Sequence, residues 1–391
     1  MQLVAYGAQD IYLTGNPQIT FFKVVYRRHT NFAMESIEQT FNGAVDFNRR
    51  VTATISRNGD LIKDMWLEVF LSGGTITNGK YGLGNSLVKQ VEVEIGGQLI
   101  DRQYGEWMDI WSELSVPEGK RLEYDEMVGN HNVSGAPNRK LDVPLMFWFN
   151  RNPGLALPLI ALQYHEVKIN LDLANSDDMF TSSPATTLDV KLWVDYIYLD
   201  TDERRRFAQV SHEYLIEQLQ FTGDAAMTGS ATSFRSELNF NHPCKELIWV
   251  YQTSTQQRSG GAATANPTQF TSLELDTANP GPSAILKLNG QDRFQERRME
   301  YFRRVQGYKH HTHAVRADSA GVYKQWIYLY SFALNPEEHQ PSGTCNFSRI
   351  DNTILSFNNL NSLGAGVVKV FAVNYNVLRI MSGMGGLAYS N

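Results

Sequence analysis

The sequence predicts an all-β protein made of two tandem eight-stranded jelly-roll sandwiches, a double jelly roll, with short helical excursions in its loops. Three observations predict this fold class. Long runs of β-branched and aromatic residues occur in both halves, turn signals separate about eight short strands in each half, and no helix-rich segment lies between the halves. Two sheets packed face to face are one way in which antiparallel proteins protect their sheet edges.

The two halves repeat each other in three places and in the same order. The clearest repeat is between 190–199 and 368–378, which are both rich in the residues that suit a pleated, half-buried surface. Each other repeat is weak alone, but three in one order favour a tandem duplication with insertions in the surface loops. The other pairs are 63–69 with 245–251, and 97–102 with 290–293.

The composition indicates a globular protein with large interiors or interfaces. The chain has 391 residues, which is comfortable for two all-β domains, with 42% hydrophobic, 12% aromatic and 19% charged residues. A net charge of −6 argues against a protein that coats nucleic acid. The two cysteines are too few for a disulfide framework, and neither a membrane span nor a signal pattern is evident. We therefore expect a soluble protein made in the cytosol.

Residues 1–34 form a separate N-terminal arm in this prediction. The turn Thr14-Gly15-Asn16-Pro17 precedes an apolar and then basic stretch over 19–28. Two interpretations are equally good: an arm that packs on another surface, or an extra edge strand or short helix on its own domain.

Strands are predicted from Ser36 onward. Alternating residues predict strands over 51–55 and 91–95, and the turn signal at 58–60 predicts a hairpin before a strand over 61–71. A further strand is predicted over 166–173.

One helix and two connections complete the predicted organisation. Trp107, Ile110, Trp111 and Leu114 have helical spacing and predict a short helix within 104–114, as an excursion at the side of the sandwich. The charged connector 200–206 separates a first jelly-roll domain from a second, and the longest loop covers 256–283. The predicted parts are therefore the arm 1–34, a first domain 35–203, and a second domain 204–391 with a C-terminal tail.

No catalytic, cofactor-binding or metal site is predicted. Residues 74–81 resemble a phosphate-binding loop, but Tyr81 stands where magnesium requires Ser or Thr, so a hairpin loop is the better interpretation. His311 and His313, beside His310, would share a face of a strand and could ligate zinc, but no third ligand stands at a suitable spacing. A solvated or interface strand is the favoured interpretation of this cluster. No constellation typical of an enzyme is present.

The stretch 293–316 mixes basic and aromatic residues. Seven Arg or Lys residues alternate with Phe294, Tyr301, Phe302 and Tyr308, a pattern that nucleic acid or another anionic surface could contact. Acidic residues within the stretch partly neutralise it. A polar face between subunits is the favoured interpretation, and no specific nucleic-acid binding is expected.

Several long motifs closely resemble the major capsid proteins of nucleocytoplasmic large DNA viruses. They lie at both ends and in the middle of the chain, so the resemblance covers essentially its whole length. The matching stretches are 3–10, 13–23, 26–32, 158–167, 341–349, 374–376 and 383–389.

This resemblance implies a structural protein and not an enzyme. It implies a homotrimer that forms a pseudo-hexagonal capsomer, and an icosahedral shell of such capsomers around an inner membrane and the DNA genome. The implied partners are neighbouring capsomers and the penton and minor capsid proteins beneath the shell. Indirect contact with the inner membrane is left open. The implied location is the virion, after synthesis in the host cytoplasm and assembly at viral factories.

The length of the chain departs from that of many family members. At 391 residues it is shorter, so we expect small loops on the crown of the capsomer. The alternative function is a tandem jelly-roll carbohydrate-binding module, which would need an exposed aromatic surface beside carboxylates. The loop 117–140 is the place where the sequence leaves room for one.

Overall fold

A computed structural model describes residues 7–73, 82–130, 138–179, 187–258, 267–274, 281–313, 326–360 and 363–389. The predicted phosphate-loop resemblance at 74–81 lies outside these ranges. No helix within them has the length and apolar character that crossing a bilayer requires. All strand pairs described below are antiparallel.

The first half of the chain forms two sheets. Sheet 1A has the strand order β1-β10-β4-β7, with β8 also paired to β4, and sheet 1B has the order β2-β3-β9-β5-β6. The strands are β1 (Phe32–Gln39), β2 (Phe41–Asn42), β3 (Arg50–Thr54), β4 (Leu61–Ser72), β5 (Val88–Ile95), β6 (Gln98–Tyr104), β7 (Asn138–Pro144), β8 (Leu157–Pro158), β9 (Val167–Leu173) and β10 (Thr187–Leu199).

The second half repeats this arrangement. Sheet 2A has the order β11-β21-β14-β18, with β12, β19 and β22 added at its margins, and sheet 2B has the order β13-β20-β15-β16, with β17 on β15. The strands are β11 (His212–Phe221), β12 (Ala225–Met227), β13 (Phe234–Glu237), β14 (Pro243–Thr253), β15 (Ser283–Leu288), β16 (Gln291–Asp292), β17 (Arg297–Arg298), β18 (Tyr328–Ser331), β19 (Cys345–Asn346), β20 (Thr353–Asn358), β21 (Gly366–Met381) and β22 (Met384–Leu387).

Short helices occupy the connections. Between β17 and β18 a π-helical turn (Tyr301–Val305) runs directly into an α-helix, and we call the two together the helical segment 301–310. The α-helices are α1 (Ile11–Thr14), α2 (Leu83–Leu87), α3 (Gly105–Ser115), α4 (Glu118–Val128), α5 (Trp148–Arg151), α6 (Thr201–Gln209) and α7 (Gln306–His310).

Each half buries its own core between its two sheets. In the first, Leu67 and Val194 of sheet 1A pack with Val93 and Ile169 of sheet 1B. In the second, Trp249 of sheet 2A packs against Phe357 of sheet 2B, with ring centroids 6.2 Å apart. Two face-to-face sheets with equivalent strand orders in each half confirm the predicted double jelly roll.

All three sequence repeats lie on equivalent strands. Segments 63–69 and 245–251 lie on β4 and β14. Strand β4 pairs with β10, which carries 190–199, and β14 pairs with β21, which carries 368–378. The repeat of 97–102 with 290–293 begins at the two-residue turns Gly96-Gly97 and Asn289-Gly290, and all four residues have positive φ. Such turns match the twist of a hairpin, which explains why glycine and asparagine recur there.

The local predictions were largely confirmed. Strands occur at or within two residues of 51–55, 61–71 and 166–173, and the helix predicted within 104–114 is α3. Three details were wrong. The first strand begins at Phe32 and not at Ser36. The hairpin predicted at 58–60 does not form, because β3 belongs to sheet 1B and β4 to sheet 1A, so this segment carries the chain from one sheet to the other. The loop 117–140 contains helix α4.

Candidate assembly surfaces

Helix α3 lies between the two jelly rolls and not at the side of the first. Its apolar residues Trp107, Ile110, Trp111 and Leu114 share one cluster with sheet 2A. The Trp107 ring lies 5.5 Å from that of Phe371 on β21, centroid to centroid. The predicted spacing was right, but the helix buries its apolar face against the second half of the chain. The two jelly rolls are therefore joined through a continuous apolar interface.

A buried ion cluster closes one end of this interface. Arg258 binds Glu106 of α3 at 2.9 Å and also donates to the backbone carbonyls of Ser86 and Val88. Lys369 of β21 lies 3.5 Å from the same carboxylate. Burial alone would raise the pKa of Glu106, but the charges of Arg258 and Lys369 outweigh burial and lower this pKa to about 2. The cluster joins four segments of the chain, at 86–88, Glu106, Arg258 and Lys369.

A second ion cluster surrounds Lys245, whose side chain is fully buried. Its ammonium lies 2.8 Å from a carboxylate oxygen of Glu217, and Arg151 contacts the same oxygen at 2.7 Å. The Arg151 guanidinium also lies 4.3 Å from the ring centroid of Trp111, the α3 tryptophan. Burial lowers the pKa of Lys245, although Glu217 and Glu246 oppose this effect.

The histidine cluster belongs to this same interface. His311 contacts Glu246 through Nε2 at 3.0 Å and Glu337 through Nδ1 at 2.9 Å. Burial alone would lower the pKa of His311, but the two carboxylates outweigh it, Glu246 most, and raise this pKa to about 9. His311 is thus a buried cation at neutral pH.

The predicted strand face for the histidines was wrong. His311 and His313 follow α7 without forming a strand. His313 donates from Nδ1 to the carbonyl of Glu113 at 2.9 Å, and Nε2 lies 3.2 Å from Glu118. His310 faces the Leu334 carbonyl. Among the described residues, no group of three His, Cys, Asp or Glu side chains is arranged to hold a metal ion.

The described part of the basic stretch, 293–313, is divided between internal pairs and an open surface. Arg303 forms two hydrogen bonds of 2.6 Å with Glu274, and its guanidinium lies 4.5 Å from the ring centroid of Trp326. Arg298 and Arg304 are more than half exposed, and Tyr308 is 82% exposed. The stretch therefore has a structural side and a free side.

The N-terminal arm is the most exposed apolar segment described. Helix α1 is only four residues long and buries none of them. The arm thus has the composition of a segment that packs on a surface, while the described chain gives it no such surface. Nine large apolar side chains are each at least 69% exposed: Ile11, Tyr12, Leu13, Ile19, Phe21, Phe22, Val24, Val25 and Tyr26.

A cleft lies between β6 and β11, where the two jelly rolls meet. Its volume is about 220 Å³. Burial raises the pKa of Asp101 there to about 6, and its carboxylate accepts a 3.0 Å hydrogen bond from the Leu219 backbone N–H. Asp101 and Gln218 both bond backbone groups across the cleft, so they join the two halves.

Comparisons with known proteins identify the family. The model described as "Major capsid protein N-terminus" matches residues 20–200, and the model described as "Large eukaryotic DNA virus major capsid protein" matches 203–386. The major capsid protein of Pyramimonas orientalis virus is 54% identical, with 100% of this chain and 99% of that protein covered. This chain belongs to the large eukaryotic DNA virus major capsid protein family.

Further matches agree with the sequence and the fold. The major capsid protein of Paramecium bursaria Chlorella virus 1 is 47% identical, with 100% of this chain and 99% of that protein covered. A chain of that virus's capsid model superimposes with a TM-score of 0.81 at 42% identity, covering 95% of this chain and 100% of that one. The Faustovirus major capsid protein, at 12% identity, shares the fold with a TM-score of 0.75, over 96% and 94% of the two chains.

The chain is therefore a structural viral capsid protein and not an enzyme, and its place is the virion shell. The family assignment also decides against a carbohydrate-binding module as its main function. Sequence analysis missed the ion clusters at Lys245 and Arg258, because their members are far apart along the chain. The charged pair Lys245-Glu246, directly before the apolar run of β14, was the signal that could have drawn attention to the first.

Proposed function

We propose that three copies of this capsid protein form a pseudo-hexagonal capsomer, and that such capsomers tile an icosahedral shell around the inner membrane and the genome. The main support is that one subunit contains two jelly rolls of equivalent strand order, held together by the interface around α3. Three such subunits in a ring would present six similar walls, which suits positions with six neighbours.

The first test is the mass of the purified full-length protein by light scattering at physiological salt. A stable species near three times 44.3 kDa is expected. Each contact in a stable trimer should bury roughly 1,600 Å². A monomer at all concentrations would contradict the trimer.

We further propose the division into the arm 1–34, a first domain 35–203 and a second domain 204–391 with its tail. The family models support a boundary near 200–203, because one match ends at 200 and the other begins at 203. The exposed helix α6 is a suitable connector there.

The arm, in this proposal, lies beneath the shell and touches neighbouring capsomers, penton and minor capsid proteins, or the layer that faces the inner membrane. Its exposed apolar side chains support this role, as Phe21 and Phe22 are 88% and 99% exposed. Synthesis in the host cytoplasm and assembly at viral factories, without specific nucleic-acid binding, complete the proposal.

Deleting residues 1–31 tests the arm, since β1 begins at Phe32 and stays intact. The shortened protein should keep the wild-type mass in solution but fail to close shells when it is expressed with the other capsid components. Phe21→Ser with Phe22→Ser in the full-length chain should reproduce the defect, while Gln18→Ser should not. Shells of normal shape from the shortened protein, seen by electron microscopy, would refute this role.

A further inference from the structure

Sheet 1A has an open face that points away from its own core. At its centre the indole rings of Trp66 on β4 and Trp193 on β10 stack 6.4 Å apart, and Trp193 donates to Glu68 at 2.7 Å. Both tryptophans are only partly buried, and the nearby Phe70 is 38% exposed. We call this surface the tryptophan face. A partly exposed aromatic pair on the outer face of a sheet is typical of a contact surface.

The equivalent face of sheet 2A is completely covered. Trp66 pairs with Trp193 across β4 and β10, and at the matching place Ile248 pairs with Phe371 across β14 and β21. Ile248 and Phe371 are 0% and 1% exposed, because Trp107 and its neighbours on α3 pack over them. Among the described residues, this position of the repeat is covered by a helix in sheet 2A but not in sheet 1A.

The second jelly roll has its own counterpart of α3. Helix α3 lies between β6 and β7, and the helical segment 301–310 lies between β17 and β18, the equivalent connection. Within the segment, Phe302 is buried in the second core, whereas Val305 and Tyr308 are 38% and 82% exposed. One side of the segment is thus buried in its own domain, and the other side exposes aromatic and apolar atoms to solvent.

The two free surfaces have opposite charge. Between 293 and 310 five exposed Arg or Lys residues outnumber two Glu residues, while Arg303 is bound to Glu274 and is not counted. The residues of sheet 1A on the tryptophan face include five carboxylates and two lysines. Burial, and to a lesser extent the negative charge of the nearby Glu68, raises the pKa of Asp142, which is one of these carboxylates. The charged residues of the face are Glu38, Glu68, Lys140, Asp142, Asp189, Lys191 and Asp195.

We propose that the helical segment 301–310 of one copy packs on the tryptophan face of a second copy, as α3 packs on sheet 2A within one chain. This inference rests on the proposed trimer and names the surfaces that form it. The contact is head-to-tail, so each copy offers one helical segment and one tryptophan face, and a ring of three copies leaves neither surface unused. Trp, Tyr and Arg at the centre are the residues that most often dominate such contacts.

Two single variants test the two sides of the contact. Trp193→Glu places a charge on the tryptophan face, and Tyr308→Glu does so on the helical segment. Each should weaken trimer formation about thirty-fold or more, measured by light scattering over a dilution series. Tyr164→Glu, at a tyrosine that is 76% exposed elsewhere, is the matched control and should leave the trimer unchanged.

Mixing the two defective variants gives the decisive result. The Trp193→Glu copy still has a sound helical segment, and the Tyr308→Glu copy still has a sound tryptophan face. One sound contact can form between them, so the mixture should give a dimer near twice 44.3 kDa that cannot close into a ring. Neither variant alone should form that dimer.

Cross-linking keeps the test independent of the folding of the charged variants. In a Cys345→Ser background, Lys191→Cys with Lys309→Cys keeps both aromatic residues and should give covalent dimers and trimers with a short bismaleimide, while Tyr164→Cys with Lys309→Cys should stay monomeric. The remaining Cys244 is buried.

The outcomes separate this inference from the proposed function. A wild-type trimer that both glutamate variants leave intact and that the first cysteine pair does not cross-link would overturn the inference alone. Binding of a glycan at Trp66 and Trp193 in an intact trimer, detected on a glycan array, would also overturn it. A wild-type protein that is monomeric at every concentration would overturn the trimer itself and the inference with it.

Discussion

Sheets 1A and 2A have the same strand order, yet the faces that they turn away from their own cores are opposite in character. Strand β4 alternates between buried and partly exposed residues beyond Met65, whereas β14 buries nine consecutive residues. Alternation is typical of a sheet with one solvated face, and an unbroken buried run is typical of a sheet covered on both. Covering by α3, and not strand order, therefore decides the chemistry of each duplicated face.

The same contrast applies to charge. The repeat places Lys63-Asp64 on β4 where Lys245-Glu246 stands on β14. Lys63 and Asp64 form a 2.8 Å ion pair with partly exposed side chains. Lys245 and Glu246 are fully buried, and their partners are Glu217 and His311. One sequence feature is therefore a surface pair in one sheet and part of a buried network in the other.

Substitution of the two equivalent aromatic residues should give the largest difference in stability between the two sheets. Phe371→Ala removes a buried ring that contacts Trp107 and Phe221, so it should lower the free energy of unfolding by about 3–5 kcal/mol. Trp193→Ala, on the open face, should cost about 1 kcal/mol in the isolated subunit. Urea unfolding at a concentration where single subunits prevail measures both. Equal losses would mean that α3 does not protect sheet 2A.

The two equivalent lysines should give the next largest difference. Lys245→Ala removes the ammonium group that lies beside the buried carboxylates of Glu217 and Glu246. The free energy of unfolding should therefore fall by about 3 kcal/mol. Lys63→Ala removes a partly exposed ion pair and should cost less than about 1 kcal/mol. Both values come from the same urea unfolding experiment. A large loss at Lys63 with none at Lys245 would reverse the comparison.

A smaller effect on the free energy of unfolding should appear when the pH is raised, because His311 binds Glu246 of the covered sheet 2A. The folded pKa of His311, about 9, is above its ordinary value of 6.5, so its stabilisation is complete below pH 6.5 and is lost as the pH rises through 9. The free energy of unfolding of the wild-type protein should therefore fall by on the order of 2 kcal/mol between about pH 6 and about pH 9.5. The His311→Gln variant should not show this fall.

His310→Gln is the matched control for this experiment. His310 faces the Leu334 carbonyl and not a carboxylate, so this variant should keep the wild-type pH dependence. Identical pH profiles for wild type and His311→Gln, measured by urea unfolding, would show that the buried pair contributes nothing.

The predictable part of the fold follows from signals that are local in sequence. The alternation in 51–55 and the spacing of Trp107, Ile110, Trp111 and Leu114 both concern neighbours along the chain, and each predicted the observed element. The turn signal at 58–60 correctly preceded a strand but not a hairpin, because the partner of a strand is chosen by distant segments. The histidines failed as a strand because two carboxylates on other segments, Glu246 and Glu337, decide where His311 lies. No local pattern contains that information.

The duplication, the jelly-roll class and the family can all be recognised in the amino-acid sequence, because repeated strand composition and long motifs survive insertions in loops. Which copy of each repeated position is covered depends instead on the three-dimensional packing. Trp66 with Trp193, and Ile248 with Phe371, are all residues that suit a sheet, so composition cannot distinguish an open face from a buried one. The position of α3 makes that distinction, since burial depends on which distant segment arrives over the sheet.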